Sequence, residues 1–204
     1  IARVPTLRQQ HTTGTDGHSE RLALADYLLP VSDDGSLSDH IGLFAVTCGS
    51  YFPDTVQHYR TEGDEYRAIL YQSLADRLAE ATTELVHRKV RTDLWGYAPD
   101  EPAPQPEAPL RHYYRGIRPA IGYPSLPDQS LLRITGTTLG IGDLGISLTE
   151  NCAMSPAATT SGLMIGHESA RYFVIGQVSD SQRADYARRR NLSDSDIDRF
   201  LPRR

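Results

Sequence analysis

One stretch of this sequence, Gly116-Ile117-Arg118-Pro119-Ala120-Ile121-Gly122-Tyr123-Pro124, gathers groups that can hold a small charged molecule. Arg118 offers a planar fork of donors suited to a carboxylate. Tyr123 adds a ring face and a hydroxyl. Proline fixes φ and glycine admits φ values that other residues avoid, so this is shaped backbone, neither helix nor strand. Such a loop suits a zwitterion. A surface turn with a salt bridge suits these nine residues better when they are read alone, and both readings stay open. A second set, Asp76, Glu80 and Glu84, places carboxylates four residues apart. On a helix, like charges at that spacing repel by a few tenths of a kcal/mol each, and Arg77 and Arg88 relieve this in part. The row reads either as a solvated acidic stripe or as carboxylates facing a cation, such as a sulfonium, or donors on a docking partner. A third set is Tyr172 and Phe173, which serve either as packing or as a shelf for adenine.

These groups need elements to position them. Asp64 to Leu94 has no Gly or Pro, and Tyr66, Leu70, Leu74, Leu78, Ala81 and Leu85 recur at helical spacing. This predicts a long helix with one apolar stripe, the spine of the domain, stopped by Gly96 and Pro99. Ile41 to Cys48 alternates with apolar residues on both faces, which predicts an inner strand. Ser161–Ile165 and Arg171–Val178, joined by Gly166–Ala170, read as an antiparallel hairpin. Asp180 or Ser181 is expected to cap a helix through Arg190, with Ser193 and Asp196 forming a second cap. Leu7–Gln10 can begin a helix, and Thr12–Gly17 reads as loop. Residues 129–140 read as a short helix weakened by glycine. Pro99–Pro109 is an extended, solvated connection.

The chain has 204 residues, 39% of them hydrophobic and 23% charged, which fits one sizeable core. A net charge of −5 argues against nucleic acid or an anionic membrane as the main partner. The C-terminal arginines, Arg188 to Arg190 with Arg203 and Arg204, read as a solvated basic face, with an acidic partner as the alternative. Two cysteines, Cys48 and Cys152, make neither a disulfide framework nor a zinc spacing, so free thiols in a cytoplasmic setting are expected. Scattered histidines predict no metal site, and Gly140-Ile141-Gly142-Asp143 lacks a dinucleotide fingerprint. The chain begins at Ile1, so a fragment or processed product is expected.

The Arg-Pro-Ala-Ile-Gly-Tyr-Pro segment resembles the Arg-x-x-x-Gly-Tyr segment of the activation domain of cobalamin-dependent methionine synthase. Asp39–Thr47, Leu74–Ala81, Trp95-Gly96-Tyr97, Gly145–Glu150, Ser161-Gly162-Leu163 and Asp185–Arg189 match in the same order. Each is weak alone; the ordered set is specific. The resemblance implies an α+β class: a C-shaped domain with a twisted antiparallel sheet, flanking helices and one long central helix. It implies a single activation domain over 1–204, N-terminally incomplete.

By position, the resemblance assigns Arg118 to the methionine carboxylate of S-adenosylmethionine. Ala120 falls where backbone groups contact the ligand, and Tyr123 lies near it. Tyr172 and Phe173 fall at the adenosine end, Phe173 often being tyrosine in the family. Glu80 lies near the sulfonium, and Asp76 faces the cobalamin module. No residue is assigned a catalytic role. The implied function is reactivation: an electron from flavodoxin or a flavoprotein reductase, and a methyl group from S-adenosylmethionine, restore methylcobalamin from cob(II)alamin. The cobalamin-binding module would be the partner that carries the cobalt. The chain departs from the family at Ile121, usually proline, which is expected to loosen the loop, and at His112, usually glutamate. A family aspartate that meets the ligand amine lies N-terminal to Ile1. The alternative is a module that docks on a corrinoid protein or flavodoxin and no longer binds S-adenosylmethionine.

Overall fold

The computed structural model describes residues 2–10, 20–37, 39–103 and 114–201. Its class is mixed α+β. Strand β1 (Gly42–Thr47) pairs antiparallel with β4 (Thr159–Met164), with Gly42 opposite Met164 and Thr47 opposite Thr159. A second small pair joins β2 (Ser147–Leu148) to β3 (Met154–Ser155). Helices α1 (Tyr51–Thr61) and α2 (Glu65–Lys89) pack against each other, and α2 lies against β1 and β4. Helices α3 (Leu131–Leu139), α4 (Asp180–Arg190) and α5 (Asp194–Phe200) complete the regular structure. Among the described residues no helix is long and apolar enough to cross a membrane.

The expected hairpin between 161–165 and 171–178 does not form. β4 gives one edge to β1 and the other to the 116–124 loop. Ile117 and Ile165 exchange both backbone hydrogen bonds at 2.9 Å, Leu163 N–H donates to Pro119 O at 3.0 Å, and Ile121 N–H donates to Ser161 O at 3.0 Å. The 171–178 segment uses its backbone elsewhere: Ile175 N–H donates to Pro124 O, and Val174 O accepts from Gln9 Nε2. The loop is thus held along a strand edge, and its shape is less irregular than its prolines and glycines suggest. Ile121 does not loosen it. Its side chain is buried, and a proline there would lack the N–H that reaches Ser161.

Helix α2 forms where expected. Asp64 caps it by accepting from Arg67 N–H at 3.0 Å, and a π-helical turn over Val90–Leu94 extends it. The apolar stripe is not its buried face. Its buried residues are Ala68, Ala75, Ala79, Thr83 and His87. The large stripe is exposed, from Tyr66 at 78% through Leu74 at 47% to Leu85 at 64%. Small side chains let the helix lie close to the strands, so closeness of approach set the inner face rather than apolar bulk.

Other expectations shift for similar reasons. β1 is not an inner strand: among the described strands it pairs with β4 alone, and Phe44 is its one fully buried residue. Leu7–Gln10 is extended, bridging Ala23 through Arg8. Ser179, not Asp180 or Ser181, caps α4, while Ser193 caps α5 as expected. Helix α1, which begins after Ser50 with Pro53 in its first turn, was not expected. Arg203, Arg204, Thr12–Gly17, His112 and most of the Pro99–Pro109 connection lie outside the described residues.

The main core gathers Leu24, Tyr27, Ile117, Ile121, Leu126, Leu131, Leu132, Leu163 and Ile165. A second cluster joins Leu7 and Ile175 to Tyr186, Ile197 and Leu201. Ile117 and Ile121 flank Arg118, so burial of the loop's apolar residues orients its polar ones.

Candidate functional site

A cavity of about 410 Å³ lies where α2, the 118–125 loop, the β1–β4 pair and residues 172–174 meet. Glu80, Arg118, Ala120, Tyr123, Tyr172 and Phe173 all line it, together with Phe44, Thr83 and Thr160. That volume lies within the usual range for a small-molecule site. Asp76 does not line it; exposed one turn earlier, it accepts a hydrogen bond from Gln72. A wider groove of about 600 Å³ adjoins across Tyr123, Pro124 and Val174, but its lining carries no cation.

Arg118 sits at the centre of a cluster rather than alone. Its Nη1 lies 2.7 Å from Glu84 Oε2, donates to the Tyr114 hydroxyl at 2.8 Å, and approaches His87 Nδ1 at 3.4 Å. Its backbone N–H donates to the Tyr172 hydroxyl at 3.0 Å, which ties Tyr172 to the loop. Burial works to lower the Arg118 guanidinium pKa, but Tyr114, Glu84 and Tyr172 outweigh it and hold the pKa above its ordinary value. The side chain stays charged.

Behind Arg118 stands a second arginine. Arg91 is fully buried and meets Glu101 through Nε at 2.5 Å and Nη2 at 2.7 Å. Its guanidinium carbon lies 3.8 Å from the Tyr114 ring centre, and His87 meets the same ring edge-on at 5.2 Å. The phenol is clamped on a face and an edge, which sets the direction of its hydroxyl. Glu84, His87, Tyr114, Arg91 and Glu101 were not singled out as site residues. Glu84 was visible only as a member of an acidic row. His87, at helical spacing on the buried face, carries no signal that separates it from a core histidine.

Two phenols beside His87 respond to pH: Tyr114, and Tyr97, whose hydroxyl lies 3.4 Å from His87 Nε2. Burial pushes Tyr97 up to about 12, and burial pushes Tyr114 up to about 12. The folded chain holds these protons more tightly than the unfolded chain does. Their stabilisation is therefore complete below about pH 10 and is lost as pH rises toward about 12. Melting temperature should fall across that window, and less steeply in Tyr97→Phe. A variant with the wild-type slope would show that Tyr97 has no share in it.

The site therefore offers a fixed cation for a carboxylate, a carboxylate at Glu80, and aromatic faces at Tyr172 and Phe173 around one cavity. Known proteins are similar to this chain in sequence and in fold. The family model described as the activation domain of vitamin B12-dependent methionine synthase matches residues 1–191. A solved structure of the MetH reactivation domain bound to AdoHcy superposes with a TM-score of 0.86 at 37% identity. That match covers 96% of this chain and 59% of the other, so this chain spans well under two thirds of its relative's length. The chain belongs to the activation-domain family of vitamin B12-dependent methionine synthase.

Proposed function

We propose that this chain binds S-adenosylmethionine in the 410 Å³ cavity and serves as the reactivation module of a cobalamin-dependent methionine synthase. The observation that carries the reading is the convergence of Arg118, Glu80, Tyr172 and Phe173 on that one cavity. The relative of this fold that holds S-adenosylhomocysteine supports it. When bound, S-adenosylmethionine supplies a methyl group on a cationic sulfur. Arg118 receives the ligand carboxylate through a charge-assisted pair of hydrogen bonds. Glu80 stands on the side of the sulfonium, where a carboxylate favours positive charge. Tyr172 and Phe173 offer their faces to the adenine, and Ala120 and Tyr123 form the wall beside the ligand.

The chain's part is to position the donor and keep water from it. The acceptor is cobalamin on a partner module, and reductive methylation there draws an electron from flavodoxin or a flavoprotein reductase. Without that module the chain is not catalytic. Asp76 is exposed one helical turn before Glu80, and in this reading it meets the cobalamin module. A cytoplasmic location follows from this reading.

Titration of the chain with S-adenosylmethionine and S-adenosylhomocysteine by calorimetry tests the proposal. Saturable binding is expected. Arg118→Ala should lower affinity by about 100-fold, the scale of one paired charge–charge contact at about 2–3 kcal/mol. Unchanged affinity in Arg118→Ala would remove that residue from the site. Absence of binding by the intact chain would favour the docking module that no longer takes the ligand.

A further inference from the structure

Among the described residues, the Arg118 guanidinium is held through one nitrogen, Nη1. Glu84, Tyr114 and His87 all meet Nη1, at 2.7, 2.8 and 3.4 Å. Among the described residues, Nε and Nη2 of Arg118 make no hydrogen bond. A guanidinium has five donors in a rigid plane, and its Nε–Nη2 edge can take a carboxylate with two parallel bonds. Fixing Nη1 therefore fixes the plane and leaves that edge for a ligand.

The anchors are themselves anchored. Tyr114 is stacked under Arg91 at 3.8 Å and met edge-on by His87. Arg91 is in turn locked to Glu101. Glu84 projects from α2, whose buried face is seated on the sheet. Arg118 lines the cavity with its side chain 15% exposed, and its partner Glu84 is 43% exposed, so solvent reaches the pair.

We propose that Glu84 and Tyr114 are positioning residues that pin Arg118 through Nη1 and thereby make the site selective for ligands carrying a carboxylate. This deepens the S-adenosylmethionine reading and rests on it. The opposite outcome is chemically reasonable and distinct: Glu84 could act as an internal stand-in that a ligand carboxylate must displace. The geometry favours positioning, because the contact uses Nη1 and leaves the two-bond edge open.

The test uses the intact chain, Glu84→Gln and Tyr114→Phe, titrated with S-adenosylhomocysteine and with 5′-methylthioadenosine. The second ligand keeps the adenosine and the thioether but has no carboxylate. Both variants keep the shape of the side chain they replace, and melting temperature reports whether each is folded. The expected result is a loss of about tenfold in affinity for S-adenosylhomocysteine in each variant, with 5′-methylthioadenosine unchanged. An equal loss for both ligands would mark the cluster as merely structural and overturn the proposal. Tighter S-adenosylhomocysteine binding by Glu84→Gln would overturn it in favour of competition. A wild-type chain that binds neither ligand would overturn the site reading itself, and this inference with it.

Discussion

Replacing Gly162 by alanine should destabilise the chain by about 2–3 kcal/mol and weaken ligand binding in the same step. A Cβ on Gly162 would lie 2.3 Å from Pro119 O, 2.8 Å from Ala120 Cα and 3.0 Å from the Phe44 ring. The first two are backbone atoms, so no rotamer change removes the clash. The φ of Gly162 is not in the left-handed region; the requirement is closeness, not conformation. Relief comes from lifting the 118–121 loop off β4. That breaks the Leu163–Pro119 and Ile121–Ser161 hydrogen bonds and carries Arg118 and Ala120 away from the cavity. Gly142→Ala is the control, because a Cβ there meets nothing within 4 Å. Urea denaturation of both variants decides the matter. Equal midpoints would mean that the loop yields without cost and that Gly162 does not hold the site in place.

Asp128→Ala should have the largest effect on stability, about 3–5 kcal/mol. Against a typical total of about 5–15 kcal/mol, that is enough to unfold a marginal domain at moderate temperature. Asp128 is fully buried and serves four donors. Its Oδ1 accepts from Ser130 N–H at 2.8 Å and Ser130 Oγ at 2.6 Å, and its Oδ2 accepts from the Tyr186 hydroxyl at 2.7 Å and Arg190 Nε at 3.2 Å. Burial, then the neighbouring Asp128, pushes the Tyr186 phenol well above its ordinary value, so it remains a donor. Removing Asp128 strands the Arg190 charge, whose side chain is only 7% exposed. Tyr186→Phe removes one hydroxyl and leaves the ion pair, so it should cost about 1–3 kcal/mol. Thermal or urea denaturation of the two variants gives the order. If Tyr186→Phe proves the more damaging, the ion pair is not what ties α4 to the 124–130 turn.

That cluster also corrects a reading of the C-terminal arginines. Their density predicts one solvated basic face. Arg188 and Arg189 do pair with Asp185 at the surface, but Arg190 turns inward to Asp128. Position along α4 decides this. Tyr186 and Arg190 are one turn apart, so burial of the first brings the second to the same carboxylate.

The sequence alone was enough for several features, and each has a local cause. The span of α2 follows from an uninterrupted helical run with Asp64 as its cap. The strand at Gly42–Thr47 follows from its apolar alternation, and the cap at Ser193 from its spacing to Asp196. The family follows from motifs in a fixed order. The six residues named for the ligand come together around one cavity, although the sequence separates Glu80 from Phe173 by much of the chain. What the tertiary structure decided is what local pattern does not encode. Periodicity gives an amphipathic helix but not which face turns inward, and small residues rather than leucines form the buried face of α2. Alternation gives strands but not partners, and β4 chose β1 and the Arg118 loop over the segment that follows it. An acidic row gives a charge but not its counterpart. Only folding brings Glu84 to Arg118, because an ion pair across 34 positions is a property of packing, not of spacing.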